Sequence, residues 1–356
     1  MKLLHSADWH LDSPFYGRTQ DQCDLLREAL LLLPHKIVAT AKKEGCDLML
    51  LSGDLFDGPY TQEGLQALKT ALKEAEIPVF ISPGNHDFVS AATPWLTEVW
   101  PENVHIFTSR TVESVAIPAL DCRVYGAAFT AVEDTGLLED FHLEGTEKWH
   151  LGVFHGDPTM VGSPYGPITA EQVNASGLSY LALGHIHKGG SFRSGSTLCA
   201  WSGCPMGRGF DELDIKGVNN VTLEEDCTLS FLPLDTPRFY DWELEAGADA
   251  AATLSAHLPG AGNRDFYRIT LTGESEPIDC DALQAQFSQF PNLQLRDRTV
   301  PPIDLWASAG ADTLEGAYFG MLRQAMEGAD PETCRKIALA ARISRQLLDG
   351  REVKLP

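Results

Sequence analysis

Short continuous apolar runs punctuate the first half of the chain, separated by longer stretches with helical spacing. Leu3-Leu4, Leu48-Met49-Leu50-Leu51, Val79-Phe80-Ile81, Leu151-Gly152-Val153-Phe154 and Tyr180-Leu181-Ala182-Leu183 read as buried strands. Residues 21–43 carry apolar side chains at helical spacing, and Pro34 is expected to bend or end that helix. Residues 61–75 predict a second helix, with Leu65, Leu68 and Leu72 on one face. After residue 100 the pattern changes to short strands at 104–107 and 122–125, with more at 217–223 and 227–232. Strands mixed with helices in this way predict a two-sheet α/β sandwich rather than a single doubly wound sheet.

A boundary is expected near Leu234-Asp235-Thr236-Pro237. Beyond it, residues 239–244, 249–257, 266–271, 280–287 and 293–295 spell a compact β-α-β-α-β unit. Its strand Phe266-Tyr267-Arg268-Ile269-Thr270-Leu271 alternates as a half-buried strand should. Two helices follow. Leu314, Tyr318, Leu322 and Ala325 share a face of the first, and Asp330-Pro331 is a start signal for the second. Ile337, Ala341 and Leu348 continue an apolar stripe, which fits either a packing face or a docking face for another protein. The expected division is 1–236, 237–305 and 306–356.

Composition narrows the class. The 356 residues are 44% hydrophobic and 22% charged, as in ordinary soluble globular proteins. The N-terminus turns polar too early for a signal peptide, and no apolar run could span a bilayer, so a cytoplasmic location away from membranes is expected. Eight scattered cysteines with no Cys-x-x-Cys pair suggest free thiols rather than a disulfide framework or a zinc ribbon. The formal net charge of -23 runs against a free-standing nucleic-acid binder. Bound divalent cations, or a partner with a basic surface, would offset it locally.

Each of the five apolar runs named first is followed by polar residues able to bind metal. The clusters are Asp8-Trp9-His10, Gly53-Asp54-Leu55-Phe56-Asp57, Gly84-Asn85-His86-Asp87, His155-Gly156 and Gly184-His185-Ile186-His187. Strand ends of open α/β sheets are where side chains from neighbouring strands converge on ligands. A single histidine there would most simply be a buried, hydrogen-bonded polar group; five clusters in the same setting indicate a metal site. Carboxylate, imidazole and amide oxygen without thiolate suit Mn, Fe or Zn in an open site. Seven ligands are too many for one ion and about right for two that share a carboxylate, the arrangement used for in-line phosphoryl displacement. Lys188, Arg193 and Arg208 follow the last cluster and are weaker candidates for holding a substrate phosphate, since each could equally be a solvated surface charge.

Asp-x-His, Gly-Asp-x-x-Asp, Gly-Asn-His-Asp, His and Gly-His-x-His, in this order, resemble the calcineurin-like metallophosphoesterase superfamily across roughly the first 210 residues. The resemblance implies one metal held by Asp8, His10, Asp54 and His187, and another by Asp54, Asn85, His155 and His185, with Asp54 bridging. It implies that His86 faces the scissile phosphate and that Asp57 orients His86. Leu4 to Leu11, Gly53 to Asp57, and Ser202 to Asp211 are similar to the SbcD/YhaO-type DNA repair exonucleases, as is the strand 266–273 of their small capping domain.

That likeness implies a manganese-dependent nuclease, a 3′ to 5′ exonuclease on duplex DNA with endonuclease activity on single strands. It also implies an SMC-like coiled-coil ATPase partner bound through the C-terminal helices. The combined expectation is an αββα sandwich with a small α+β capping domain and a C-terminal helical pair. Its cofactors would be two divalent ions, Mn²⁺ first, with Fe, Zn or Mg as alternatives. DNA is the expected substrate, and homodimerisation is left open. Two other functions fit the same sequence: a phosphodiesterase for nucleotides or other small phosphoesters, and a non-catalytic docking module.

Overall fold

A computed structural model of the protein describes residues 1–139, 141–260, 264–302 and 304–350. Residues 351–356 of the expected helical tail lie outside this range. The strands in chain order are β1 (Lys2–Ser6), β2 (Leu48–Leu51), β3 (Val79–Ile81), β4 (Val104–Ile106), β5 (Glu113–Ile117), β6 (Cys122–Gly126), β7 (Trp149–His155) and β8 (Tyr180–Gly184). They continue with β9 (Gly190–Ser194), β10 (Thr197–Trp201), β11 (Gly217–Leu223), β12 (Cys227–Pro233), β13 (Phe239–Glu245), β14 (Phe266–Thr272) and β15 (Leu293–Asp297). The helices are α1 (Gln20–Glu44), α2 (Gln62–Ala75), α3 (Pro94–Thr97), α4 (Ala170–Ser176), α5 (Ala250–His257), α6 (Cys280–Ala285), α7 (Leu314–Met326) and α8 (Pro331–Leu348).

Two six-stranded sheets form, ordered β12-β11-β1-β2-β3-β4 and β5-β6-β7-β8-β10-β9. Within them β1 to β4 are mutually parallel, as are β6, β7, β8 and β10, so their carboxyl ends gather by sheet. The apolar runs explain the layering. In β2, Leu48 and Leu50 join Leu3, Leu151, Val153, Tyr180 and Ala182 in a core between the sheets. Met49 and Leu51, on the opposite face, pack with Leu26, Leu30, Leu33 and Ile37 of α1 and with Leu65, Leu68 and Leu72 of α2. On the far side Leu181 and Leu183 of β8 pack with Val173 of α4. Each such buried aliphatic side chain contributes about 1.5–3 kcal/mol relative to exposure. The fold is the four-layer αββα sandwich expected.

Pro34 neither ends nor interrupts α1, which runs unbroken through it. Proline removes one intrahelical hydrogen bond. Here the apolar face on both sides of it, from Leu26 to Val38, is held against the sheet, so packing outweighs the lost bond. A capping box at Thr19 and left-handed Gly45 close the two ends.

The chain divides into two compact units. One comprises Met1–Asp241, Gly262–Arg268 and Phe290–Leu293; the other comprises Trp242–Ala261, Ile269–Gln289 and Gln294–Pro356. The third sheet has the order β13-β14-β15. Within the second unit, Leu254, Ile269, Leu271 and Leu283 are buried. There α7 and α8 meet through a Tyr318–Ser344 hydroxyl bond of 2.8 Å, an Arg345–Glu315 ion pair, and the Arg345 guanidinium 4.3 Å over the Phe319 ring. Among the described residues no helix is long and apolar enough to cross a membrane.

Candidate metal centre

The carboxyl ends of β1, β2, β3, β7 and β8 bring the polar clusters together. The backbone there is bent into conformations that L-residues rarely adopt: φ is +55° at Asp8, +48° at His10, +52° at Asp54 and +86° at His185. Each costs free energy that surrounding contacts must offset. Those contacts are present. The Asp8 and His10 amides donate to the carbonyls of Gly53 and Asp54, both at 3.0 Å, and the His185 amide donates to Asp8 Oδ1 at 2.9 Å.

Asp87 ties the middle of this arrangement. Its carboxylate accepts from the main-chain amides of Gly84, Asp54, Leu55 and Phe56 at 2.7–3.3 Å. Burial and the adjacent Asp54 charge push its carboxyl up to about 7 against those donors.

Glycine precedes three of the clusters for one shared reason. A Cβ on Gly53 would come 2.7 Å from His155 Nδ1, and a Cβ on Gly84 would do the same. On Gly184 it would lie 2.8 Å from that atom and collide with the Ser52 carbonyl. The His155 ring therefore sits in a mould made by three strand ends, with Nδ1 donating to Ser52 O at 2.8 Å and Nε2 pointing inward.

Inward-facing atoms converge in two groups. His10 Nε2 lies 3.1 Å from His187 Nε2, and Asp8 stands close enough to complete a three-ligand set with them. Asn85 Oδ1 lies 2.9 Å from His155 Nε2 and 3.3 Å from His185 Nδ1. Asp54 Oδ2 serves both groups, 3.3 Å from His155 Nε2 and 3.9 Å from His10 Nε2. Asp8, Asp54 and His155 form a further set that could hold an ion, as do His10, Asp54 and His86.

The donor chemistry fits divalent cations. Asp8 Oδ2 is buried with no hydrogen-bond partner, a costly state that a bound cation would relieve. With Nδ1 of both His10 and His187 directed at carboxylates, their mutually facing Nε2 atoms share either a proton or a cation between them, and both become cation donors once the rings are neutral.

Charges in the cluster are strongly coupled. Burial would raise the Asp54 carboxyl, but His155, by charge and hydrogen bond, and His10 hold it well below the usual carboxylate range. Burial disfavours a charged His155, yet the charge and hydrogen bond of Asp54, with Asp8, raise this imidazole to about 9. His86 projects farther out, with 46% of its side chain exposed, and its Nδ1 donates to Asp57 Oδ1 at 2.9 Å. That hydrogen bond raises the His86 pKa. The same Asp57 oxygen accepts from His10 Nδ1 at 3.1 Å, so one carboxylate orients two imidazoles.

Three participants were not evident from sequence. Glu212 accepts from His187 Nδ1 at 2.7 Å, Ser13 Oγ donates to Asp57 at 2.9 Å, and the Tyr165 ring leans on His185 at 4.9 Å between centroids. Their only signal is proximity in the chain to a cluster or to the loop after β10. Of the three basic residues considered for phosphate binding, Arg208 lies at the base of the centre, bonded to Glu212 and Ser13. Lys188 follows His187 and is exposed to solvent. Arg193 is not brought into the cluster; its guanidinium donates to the carbonyls of Ser196 and Cys227. Asp12 holds the start of α2 through Thr61, and Asp157 holds its own turn through Thr159 and Met160.

Residues 1–189 match the sequence model of the calcineurin-like phosphoesterases. The chain is 34% identical over 211 residues to the metallophosphoesterase YhaO of Bacillus subtilis strain 168; the match covers 53% of this chain and 49% of that relative, about half its length. It is 25% identical over 338 residues to the SbcD subunit of the SbcCD nuclease from the same strain, covering 78% of this chain and 84% of the relative. Identity to the corresponding SbcD protein of Staphylococcus epidermidis is 24% over 319 residues, covering 78% and 81%. The family match takes in more than half of the chain and runs from before Asp8 to beyond His187. On that ground the chain belongs to the calcineurin-like phosphoesterases, a family of hydrolases that act on phosphate esters with divalent metals.

Proposed function

We propose that the chain is a two-metal phosphodiesterase acting on DNA, a Mn²⁺-dependent exonuclease and endonuclease. The observation that carries this reading is the convergence of two N/O donor groups on a shared Asp54 oxygen, with half-exposed His86 beside them. Asp8, His10, Asp54 and His187 would hold one ion, and Asp54, Asn85, His155 and His185 the other. Bound there, the two ions supply positive charge for the phosphate oxygens and acidify a water molecule. His86 keeps its Nδ1 proton on Asp57 and carries a second proton at Nε2, which it delivers to the leaving oxygen. Asp57 holds that ring in place and favours its charged form.

DNA as substrate, and a coiled-coil ATPase as partner, rest on the likeness to the SbcD proteins of SbcCD nucleases. The apolar stripe of α7 and α8 is the surface we assign to the partner. The test is degradation of end-labelled linear duplex by the purified chain with Mn²⁺, using Asp54→Ala as control. A metal-dependent ladder from the 3′ end, absent in the variant, is the expected result. Intact DNA alongside hydrolysis of a small chromogenic phosphodiester would transfer the site to small phosphoesters. The net charge of -23 favours that second reading for the isolated chain.

A further inference from the structure

Arg208 and Glu212 lie in the loop that follows β10, and they close a circuit of contacts around one side of the metal centre. Arg208 Nη2 donates to Glu212 Oε1 at 2.7 Å, Nε donates to Oε2 at 3.3 Å, and the Arg208 amide donates to Oε2 at 2.8 Å. Arg208 Nη1 reaches Ser13 Oγ at 3.2 Å and lies 3.7 Å from Asp57 Oδ2. Glu212 accepts a hydrogen bond from His187 Nδ1, and Asp57 accepts one from His10 Nδ1. The Nε2 atoms of these two rings then face each other. The path therefore runs Arg208, Glu212, His187, His10, Asp57 and back to Arg208.

A neutral imidazole that binds a cation through Nε2 must keep its proton on Nδ1, and the acceptor of that proton fixes the ring. Two carboxylates placed side by side for this purpose repel; a guanidinium between them removes the repulsion and locks their spacing. Only 19% of the Arg208 side chain and 5% of the Glu212 side chain are exposed, and the arginine donors are directed at protein acceptors. The other donor group is oriented differently, since His155 Nδ1 donates to the main-chain carbonyl of Ser52 instead of to a carboxylate.

We infer that Arg208 and Glu212 are positioning residues that pre-form one metal subsite, that of Asp8, His10 and His187, and leave the second subsite independent. This rests on the two-metal reading above. It assigns Arg208 to the cation rather than to the substrate phosphate.

The test is titration of the full metal-free chain with Mn²⁺, following the free ion by its EPR signal, for wild type, Glu212→Gln, Arg208→Ala and Arg208→Lys. Glu212→Gln is nearly isosteric and keeps the loop folded, as its melting curve would verify. Wild type should bind two ions. Glu212→Gln and Arg208→Ala should weaken one by about 10–100-fold while the other stays within about twofold, and Arg208→Lys should recover part of the loss. With a small phosphodiester, kcat should fall at limiting Mn²⁺ and recover at high Mn²⁺, with little change in KM. Wild-type ion binding in Arg208→Ala with a raised KM would overturn the inference and make Arg208 a substrate contact. Equal weakening of both ions would overturn the independence of the subsites. A wild-type chain that binds no Mn²⁺ would instead refute the metal centre itself, and this inference with it.

Discussion

Asp8, His10, Asp54 and His155 are almost fully buried at the strand ends of the sandwich, whereas Leu314, Met321 and Leu347 on the helical pair are 90%, 71% and 64% exposed. Both regions depart from the usual partition of polar and apolar side chains, in opposite directions. The two departures differ in cost. Burying carboxylates and imidazoles is expensive unless partners and a cation compensate them, so their presence demands a purpose. Exposed leucines on a helix cost little, so they identify a surface and not an activity. Chemistry is thus readable in the sandwich, and only an amphipathic outline in α7 and α8.

The sharpest test of this contrast removes the shared carboxylate. Asp54→Ala should lose at least one ion and lower turnover by more than ~10³-fold, measured by metal stoichiometry and phosphodiester hydrolysis. Retention of two tightly bound ions would refute its bridging role. Next in size, His86→Ala should keep both ions and lower turnover by about 10²–10³-fold, and loss of an ion in that variant would make His86 a ligand. Gly184→Ala, which forces a methyl onto the Ser52 carbonyl and the His155 ring, should cost about 1–3 kcal/mol in urea unfolding. An unfolding midpoint like that of the wild type would mean that the mould around His155 is loose.

Acid should weaken the ions as well. In the metal-free chain His155 is raised to about 9, and its charged form competes with the cation at Nε2. Mn²⁺ affinity should therefore be full above that pH and fall as pH drops through it, by up to about tenfold per unit. Calorimetry in buffers of different ionisation heat would detect the released proton; a pH-independent affinity between about pH 6 and 9 would contradict the coupling. Smallest of all, Met321→Gln on the exposed side of α7 should change stability by no more than about 0.5 kcal/mol. A larger loss would show that this stripe is covered in solution.

Sequence periodicity located the strands that matter, because strands buried on both faces read as unbroken apolar runs, as at 48–51 and 180–183. It also located the polar clusters that the structure brings together, since strands running parallel within each sheet deliver their C-terminal residues to one end. Glu212 could not be found this way. It follows Gly209-Phe210-Asp211 in a loop with no periodic pattern, and only tertiary folding brings it to His187. The unbroken α1 was likewise hidden, because the local effect of Pro34 is visible in sequence and the packing that overrides it is not.

The three glycines around His155 carry a consequence for redesign. Each closes a different wall of the same mould, so any added side chain there must displace a neighbouring main-chain group or the ring itself. A library aimed at changing metal preference should therefore leave Gly53, Gly84 and Gly184 fixed. Diversity belongs at the partly exposed Tyr165, whose ring rests on His185, where a side chain can be exchanged without recasting the strand ends.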